Sequence, residues 1–278
     1  MTHKIIDSHH HLWRYDAADY PWMSARMEKL RRDYLLPDLK AVTQATGVTG
    51  TVVVQARQTI EETFWLAEVA NETQLILGIV GWAPLVHAQI DLYLERLASL
   101  PKMKGMRHVL HDEPDPFYMS REDFQRGISR LKDYGIRFDC LIFESHLPQT
   151  IELVDRHPNQ IFIVDHIAKP SIRQKALDPW RQQLIELASR PNVYCKLSGM
   201  VTEAHWDLWT EQELKPYFEI VIEAFGCKRT MFGSDWPVVN LAASYGQWLG
   251  TVQRALSQFS EEERAWIFAG TAIDAYDL

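Results

Sequence analysis

Short runs of apolar and β-branched residues alternate along this chain with longer stretches whose apolar positions recur every three or four residues. The short runs are 4–7 (KIID), 50–56 (GTVVVQA), 75–83 (LILGIVGWA), 103–110 (MKGMRHVL), 136–143 (IRFDCLIF), 161–167 (IFIVDHI), 193–199 (VYCKLSG) and 230–236 (TMFGSDW). Near-continuous apolar character over so few residues predicts strands buried on both faces.

The intervening segments predict helices, and several carry their own punctuation. Thr59 opens a Thr-x-x-Glu capping box, and Ser120 and Gly135 mark a start and a stop. Asp178 stands as a cap before Pro179 at a first helical position. Eight strands alternating with helices over 278 residues predict an α/β fold, a (β/α)8 TIM barrel forming one domain over 1–278. A doubly wound open sheet is the alternative, but no Gly-rich phosphate fingerprint follows the first strand. One segment breaks the alternation: 13–39, rich in aromatics, is expected as an insertion after strand one. It is either a lid over the barrel mouth or a packing loop.

Composition narrows the partners. The net charge is −8 with both signs interspersed, which disfavours nucleic acid and anionic membranes. No apolar run reaches the length of a bilayer span, and the N-terminus lacks a secretory h-region, so a cytoplasmic location is expected. Cys140, Cys195 and Cys227 are far apart and predict reduced thiols. A small-molecule substrate is the expected partner, and a homo-oligomer stays open.

In such a barrel the chemistry sits at the C-terminal ends of the strands. Strand one ends in Asp7, His9, His10 and His11, among only 11 histidines in the chain. Residues two apart share a face in extended chain, so Asp7, His9 and His11 are expected to point one way and His10 toward the helices. Strand six ends with His166, with Lys169 just beyond, and strand eight with Asp235 after the small residues Gly233 and Ser234. His9, His11, His166 and Asp235 can hold one divalent metal, zinc by preference. They can equally work without metal, Asp235 as general base and the imidazoles as donors to a carbonyl.

The other strand ends supply expected substrate contacts. Arg107 and His108 end strand four, and Arg107 either grips a polar substituent bidentately or forms an ion pair in the barrel mouth. Gln55 and Arg57 end strand two, and Trp82 ends strand three. Lys196 is a site residue or an internal salt bridge, since a buried lysine needs a partner. Trp13, Trp22 and Trp236 flank the site, to stack on a ring or to pack the core.

Taken in order, DSHHHLW, YPWM, GMRHVLH, FIVDHIAKP, VYCKLSGM and MFGSDWPV resemble the amidohydrolase superfamily. More narrowly they resemble its branch of sugar-acid and dicarboxylate lactonases, which holds L-fuconolactonases, L-rhamnonolactonases and 2-pyrone-4,6-dicarboxylate lactonases. The two-metal members of that superfamily use a strand-four lysine and a strand-five histidine. Here Lys102 and Lys104 lie at the wrong end of strand four, and His146 falls in the loop after strand five. The resemblance thus implies one metal or none, and a hydrolase opening the lactone ring of a sugar acid. A metal-dependent decarboxylase of the same superfamily and a non-catalytic ligand-binding barrel are the alternatives.

Overall fold

The computed structural model describes residues 4–278. Eight parallel strands run in sequence order around one sheet: β1 Ile6–His10, β2 Gly50–Val54, β3 Ile76–Gly81, β4 Met103–Val109, β5 Arg137–Leu141, β6 Phe162–Val164, β7 Val193–Leu197 and β8 Thr230–Phe232. The ring closes between β8 and β1 through a parallel bridge of His10 with Trp236. There the His11 N–H donates to the Trp236 carbonyl at 2.6 Å and the Asp235 N–H to the His9 carbonyl at 2.7 Å. Helices lie between successive strands, as right-handed crossovers require.

The strands bury both faces, and the charged residues placed inside them decide what fills the barrel. Ile6, Val52, Val54, Val80, Ile163 and Met231 pack below with Ala272, Ala275 and Tyr276 of the C-terminal helix Thr271–Tyr276. This is the bottom plug. Above it the interior is ionic: Arg107, Asp139 and Lys196 project from mid-strand or strand end, and Asp165 follows β6. Two cations and two carboxylates cancel, the condition for keeping charge out of water.

The expected strands hold in number and order, but their C-terminal tips run short. β6 stops at Val164 and β8 at Phe232, so the segments carrying His166 and Asp235 have left the sheet. β1 instead runs further than expected, through His10, with a register shift against β2 between Asp7 and His10. Caps differ too. Thr59 does accept the Glu62 N–H (3.2 Å), but the Glu62 carboxylate turns to the N–H groups of Ala56 (3.0 Å) and Arg57 (2.8 Å). Ser120 lies in a turn before the helix Glu122–Leu131, and Asp178 pairs with Arg181 at 2.6 Å before the helix Trp180–Ala188.

In the insertion, Trp13 pairs with Tyr34 across a backbone bridge, and the rings of Trp13, Tyr20, Trp22 and Tyr34 form one aromatic cluster. Among the described residues no helix is long and apolar enough to cross a membrane.

Candidate active site

Strands one, six and eight bring four groups together. Asp235 Oδ1 lies 3.4 Å from His11 Nε2, 3.7 Å from His9 Nε2 and 3.9 Å from His166 Nε2. His9 Nε2 and His11 Nε2 are 3.2 Å apart. His11 Nδ1 contacts the Val54 carbonyl at 2.8 Å, which can only accept, so Nδ1 carries a proton and a neutral His11 presents a bare Nε2. His166 is set by Ser198, whose Oγ is 2.8 Å from Nδ1. Gly199 makes that approach possible: its φ is +64°, and a Cβ there would meet the His166 ring at 2.6 Å.

Asp7 does not join them. Its carboxylate accepts from the Ser234 N–H (2.7 Å), the Ser234 hydroxyl (2.6 Å) and the Tyr245 hydroxyl (2.9 Å), tying β1 to the chain after β8. The register shift in β1 breaks the simple alternation that would have aligned it with His9. His10 turns away, its Nε2 3.0 Å from Thr51 Oγ1. The room left by Gly233 is taken by His9, whose Cβ would lie 2.9 Å from a side chain there.

The tips of β6 and β8 are backbone of unusual conformation. Asp235 has φ +57°, and His166, Ile167, Ala168 and Lys169 follow one another at +53°, +51°, +61° and +45°. Four consecutive non-glycine residues in the left-handed region cost roughly 1–2 kcal/mol each. Such a turn persists where the surrounding structure over-determines it, as at functional sites. Its ends are His166 and Lys169, and both border the same cavity.

Beneath the imidazoles lies the ionic layer. Lys196 Nζ contacts Asp139 Oδ2 (2.5 Å), Asp165 Oδ1 (2.9 Å) and His9 Nδ1 (3.1 Å) with no exposure to solvent. Arg107 Nη1 reaches Asp165 Oδ2 (3.1 Å) and His9 Nε2 (3.3 Å), and its Nη2 donates to the Gln55 carbonyl. The Tyr276 hydroxyl, from the bottom plug, donates to Asp139 Oδ2 at 2.6 Å.

Burial would push the Asp235 carboxyl up, but His166 and His11 outweigh it and hold it below its ordinary value. Burial pulls His166 down to about 4 against the raising pull of Asp235 and Asp165. Near neutral pH the site therefore carries an ionised Asp235 beside a neutral His166.

The cavity above these groups measures about 270 Å³. His11, His166 and Asp235 border it, as do Arg107 and Trp22 among the expected substrate contacts. The others lie behind its wall. His9 is fully buried under His11 and His166. Gln55 clasps Arg107, with Oε1 accepting at 3.3 Å from Nη2 and Nε2 donating at 3.3 Å to its carbonyl. Trp82 donates to His108 Nδ1 (3.2 Å), and His108 Nε2 meets Glu113 at 2.5 Å, so both ring nitrogens of His108 are engaged. Trp13 and Trp236 are core aromatics, and Lys196 belongs to the ionic layer. Lining residues that sequence reasoning missed include Met27, His111, Asp112, Lys169 and Val238. His111 carried a faint signal, a histidine two residues past the end of β4.

The donor set suits one divalent ion. His9, His11 and Asp235 form one possible ligand group and His9, Asp165 and His166 another, and the two share His9. Zinc–nitrogen bonds of about 2.0–2.1 Å in a tetrahedron imply donor separations of roughly 3.3–3.4 Å. The contacts among His9, His11, His166 and Asp235, 3.2 to 3.9 Å, bracket that range. A bare His11 Nε2 facing a carboxylate needs a proton or a cation between them.

A parallel barrel that gathers three imidazoles and a carboxylate at the ends of strands one, six and eight is built as a hydrolytic enzyme of the amidohydrolase type. The chain belongs to the amidohydrolase family, whose model matches residues 6–278. It is 40% identical over 289 residues to an L-fucono-1,5-lactonase of Burkholderia multivorans, covering 98% of this chain and 96% of that one. A second L-fucono-1,5-lactonase, from Burkholderia ambifaria, is 35% identical, covering 100% of this chain and 97% of the relative. The crystal structure of an amidohydrolase from Burkholderia multivorans with bound zinc superposes with a TM-score of 0.95 at 40% identity, covering 99% of each chain.

Proposed function

We propose that this protein hydrolyses the lactone of a sugar acid, with an L-fucono-1,5-lactone-like compound as the leading substrate. The relatives bearing that activity match nearly end to end. The observation that supports the chemistry is the ionised Asp235 facing His11 and His166 across the cavity wall. At about 270 Å³ the cavity is near the lower end of ligand pockets, roughly 300–1,000 Å³, which suits a single ring rather than an oligosaccharide.

Asp235 is the general base. It takes a proton from water as the water oxygen bonds to the lactone carbonyl carbon. Ser198 orients His166; when its hydroxyl donates to Nδ1, His166 presents Nε2–H to the carbonyl oxygen. As the carbon–ring-oxygen bond breaks, Asp235 returns the proton to the leaving oxygen and the hydroxy acid is released. His9, His11, His166 and Asp235 are also the residues that would hold a divalent ion, which when bound would supply Lewis-acid polarisation of the carbonyl and a more acidic water. A pH-indicator assay over aldono-1,4-, aldono-1,5- and dicarboxylic lactones tests the reading. Turnover of hydroxylated aldonolactones that is lost in Asp235→Asn is expected. No turnover of any lactone by the wild-type protein would overturn it.

A further inference from the structure

The left-handed turn after β6 delivers two side chains to the cavity, and the carbonyl chemistry uses only His166. Lys169, the other, stands between the active-site cavity and an adjoining one of about 410 Å³ lined by Glu144, Ser171, Arg173 and Glu203. Its ammonium lies 3.7 Å from Glu203 Oε1, too far for a hydrogen bond, and 5.5 Å from the centre of the Phe143 ring. Its protons are therefore not committed as those of the other two cations are. Arg107 is held by Asp165 and the Gln55 carbonyl, and Lys196 is spent on Asp139, Asp165 and His9. The Glu144 carboxylate is occupied by Ser171, at 2.7 Å to its hydroxyl and 3.0 Å to its N–H. Glu203, partly buried, faces Lys169, with Asp235 and Arg173 as further charged neighbours.

Resting on the lactonase reading, we propose that Lys169 and Glu203 form the subsite that binds the ring hydroxyls of the substrate, Lys169 donating and Glu203 accepting. An ammonium beside a carboxylate matches a hydroxyl pair, which needs one donor and one acceptor. Lys169 borders the His166 cavity and Glu203 the adjoining one, so the pair stands where the two cavities meet. The left-handed turn thus couples recognition to catalysis: one four-residue unit holds the carbonyl donor at one end and the hydroxyl contact at the other. Lys169 and Glu203 are specificity residues for hydroxylated lactones.

The test compares L-fucono-1,5-lactone with unsubstituted δ-valerolactone in Lys169→Met and Glu203→Gln. Removing a charged hydrogen bond to substrate lowers kcat/KM by roughly 10- to 150-fold. The loss on the hydroxylated lactone is expected to exceed that on δ-valerolactone at least tenfold in each variant, with Lys169→Arg recovering part of it. Circular dichroism and thermal melting establish that each variant is folded. If Lys169→Met does not fold, Glu203→Gln alone carries the comparison. Equal losses on both lactones, or no loss on either, overturn the proposal. If the wild-type protein opens neither lactone, the lactonase reading fails separately. The subsite then stands on calorimetric binding of L-fuconate: weakened binding in both variants supports it, and unchanged binding overturns it.

Discussion

Lys196 Nζ lies 3.1 Å from His9 Nδ1, and the same nitrogen faces Asp165 Oδ1 at 3.2 Å. The other nitrogen is flanked in the same way, by Arg107 Nη1 at 3.3 Å and His11 Nε2 at 3.2 Å. Each ring nitrogen of His9 thus sees one cationic donor and one group able to accept. With the proton on Nδ1, His9 donates to Asp165, and its bare Nε2 either accepts from Arg107 or, in place of that hydrogen bond, ligates a cation. With the proton on Nε2, it accepts from Lys196 and donates toward His11. The buried ions decide between the two tautomers, and so decide what the site offers a substrate or a metal.

Lys196→Met should leave Asp139 and Asp165 as underpaired buried carboxylates. Removing one partner of a buried ionic group costs about 3–5 kcal/mol, which urea denaturation at neutral pH will read. Lys196→Met/Asp139→Asn should recover part of the loss because the missing cation is matched by a missing anion. Wild-type stability in the single variant would show that the ionic layer is not built on Lys196. Nitrogen-15 spectra of labelled histidine should show the His9 proton favouring Nδ1 in the folded double variant.

Asp235→Asn preserves the shape of the side chain and removes its capacity to take a proton. The expected result is a drop in kcat of about 10²-fold or more, with an unchanged circular dichroism spectrum. Activity within a few-fold of the parent would take Asp235 out of the proton transfer.

His166 titrates far below its ordinary range, and the sign of the effect follows. Its ordinary value of 6.5 falls to about 4 in the fold, burial being the leading cause. Between those values the unfolded chain binds more protons than the native one, so this residue's contribution to stability falls as the solution is acidified. The difference in unfolding free energy between wild type and His166→Gln should shrink by about 2 kcal/mol from pH 7 to pH 5. A difference that stays constant or grows over that interval would contradict a neutral buried His166.

Metal content should not exceed one ion per chain. The two possible ligand groups share His9, so both could fill at once only if its ring bridged two ions. Elemental analysis after zinc loading and desalting should give a stoichiometry at or below one, and His11→Ala should weaken binding. Two equivalents held at the site would contradict a single-ion centre and require either a bridging His9 or ligands beyond these residues.

The order and number of the strands were legible in the sequence because strands buried on both faces must be apolar throughout, and that pattern survives without any knowledge of neighbours. The candidate groups at their ends were legible too: His9, His11, His166 and Asp235 stand out as polar groups at the ends of apolar runs, and the fold gathers them. Tertiary structure alone decided how those ends were used. Asp7 and His9 are two apart, yet the bulged register of β1 sends one to Ser234 and Tyr245 and the other to the ionic layer. Arg107 read as a substrate contact or an ion pair in the barrel mouth, and only the fold shows its guanidinium held by Asp165 and Gln55, residues 58 and 52 positions away. Lys169 looked incidental, because local sequence does not announce that four residues will turn left-handed and carry it into the cavity. Burial can be read from composition along a strand, whereas the pairing of buried charges depends on which strands the barrel brings face to face.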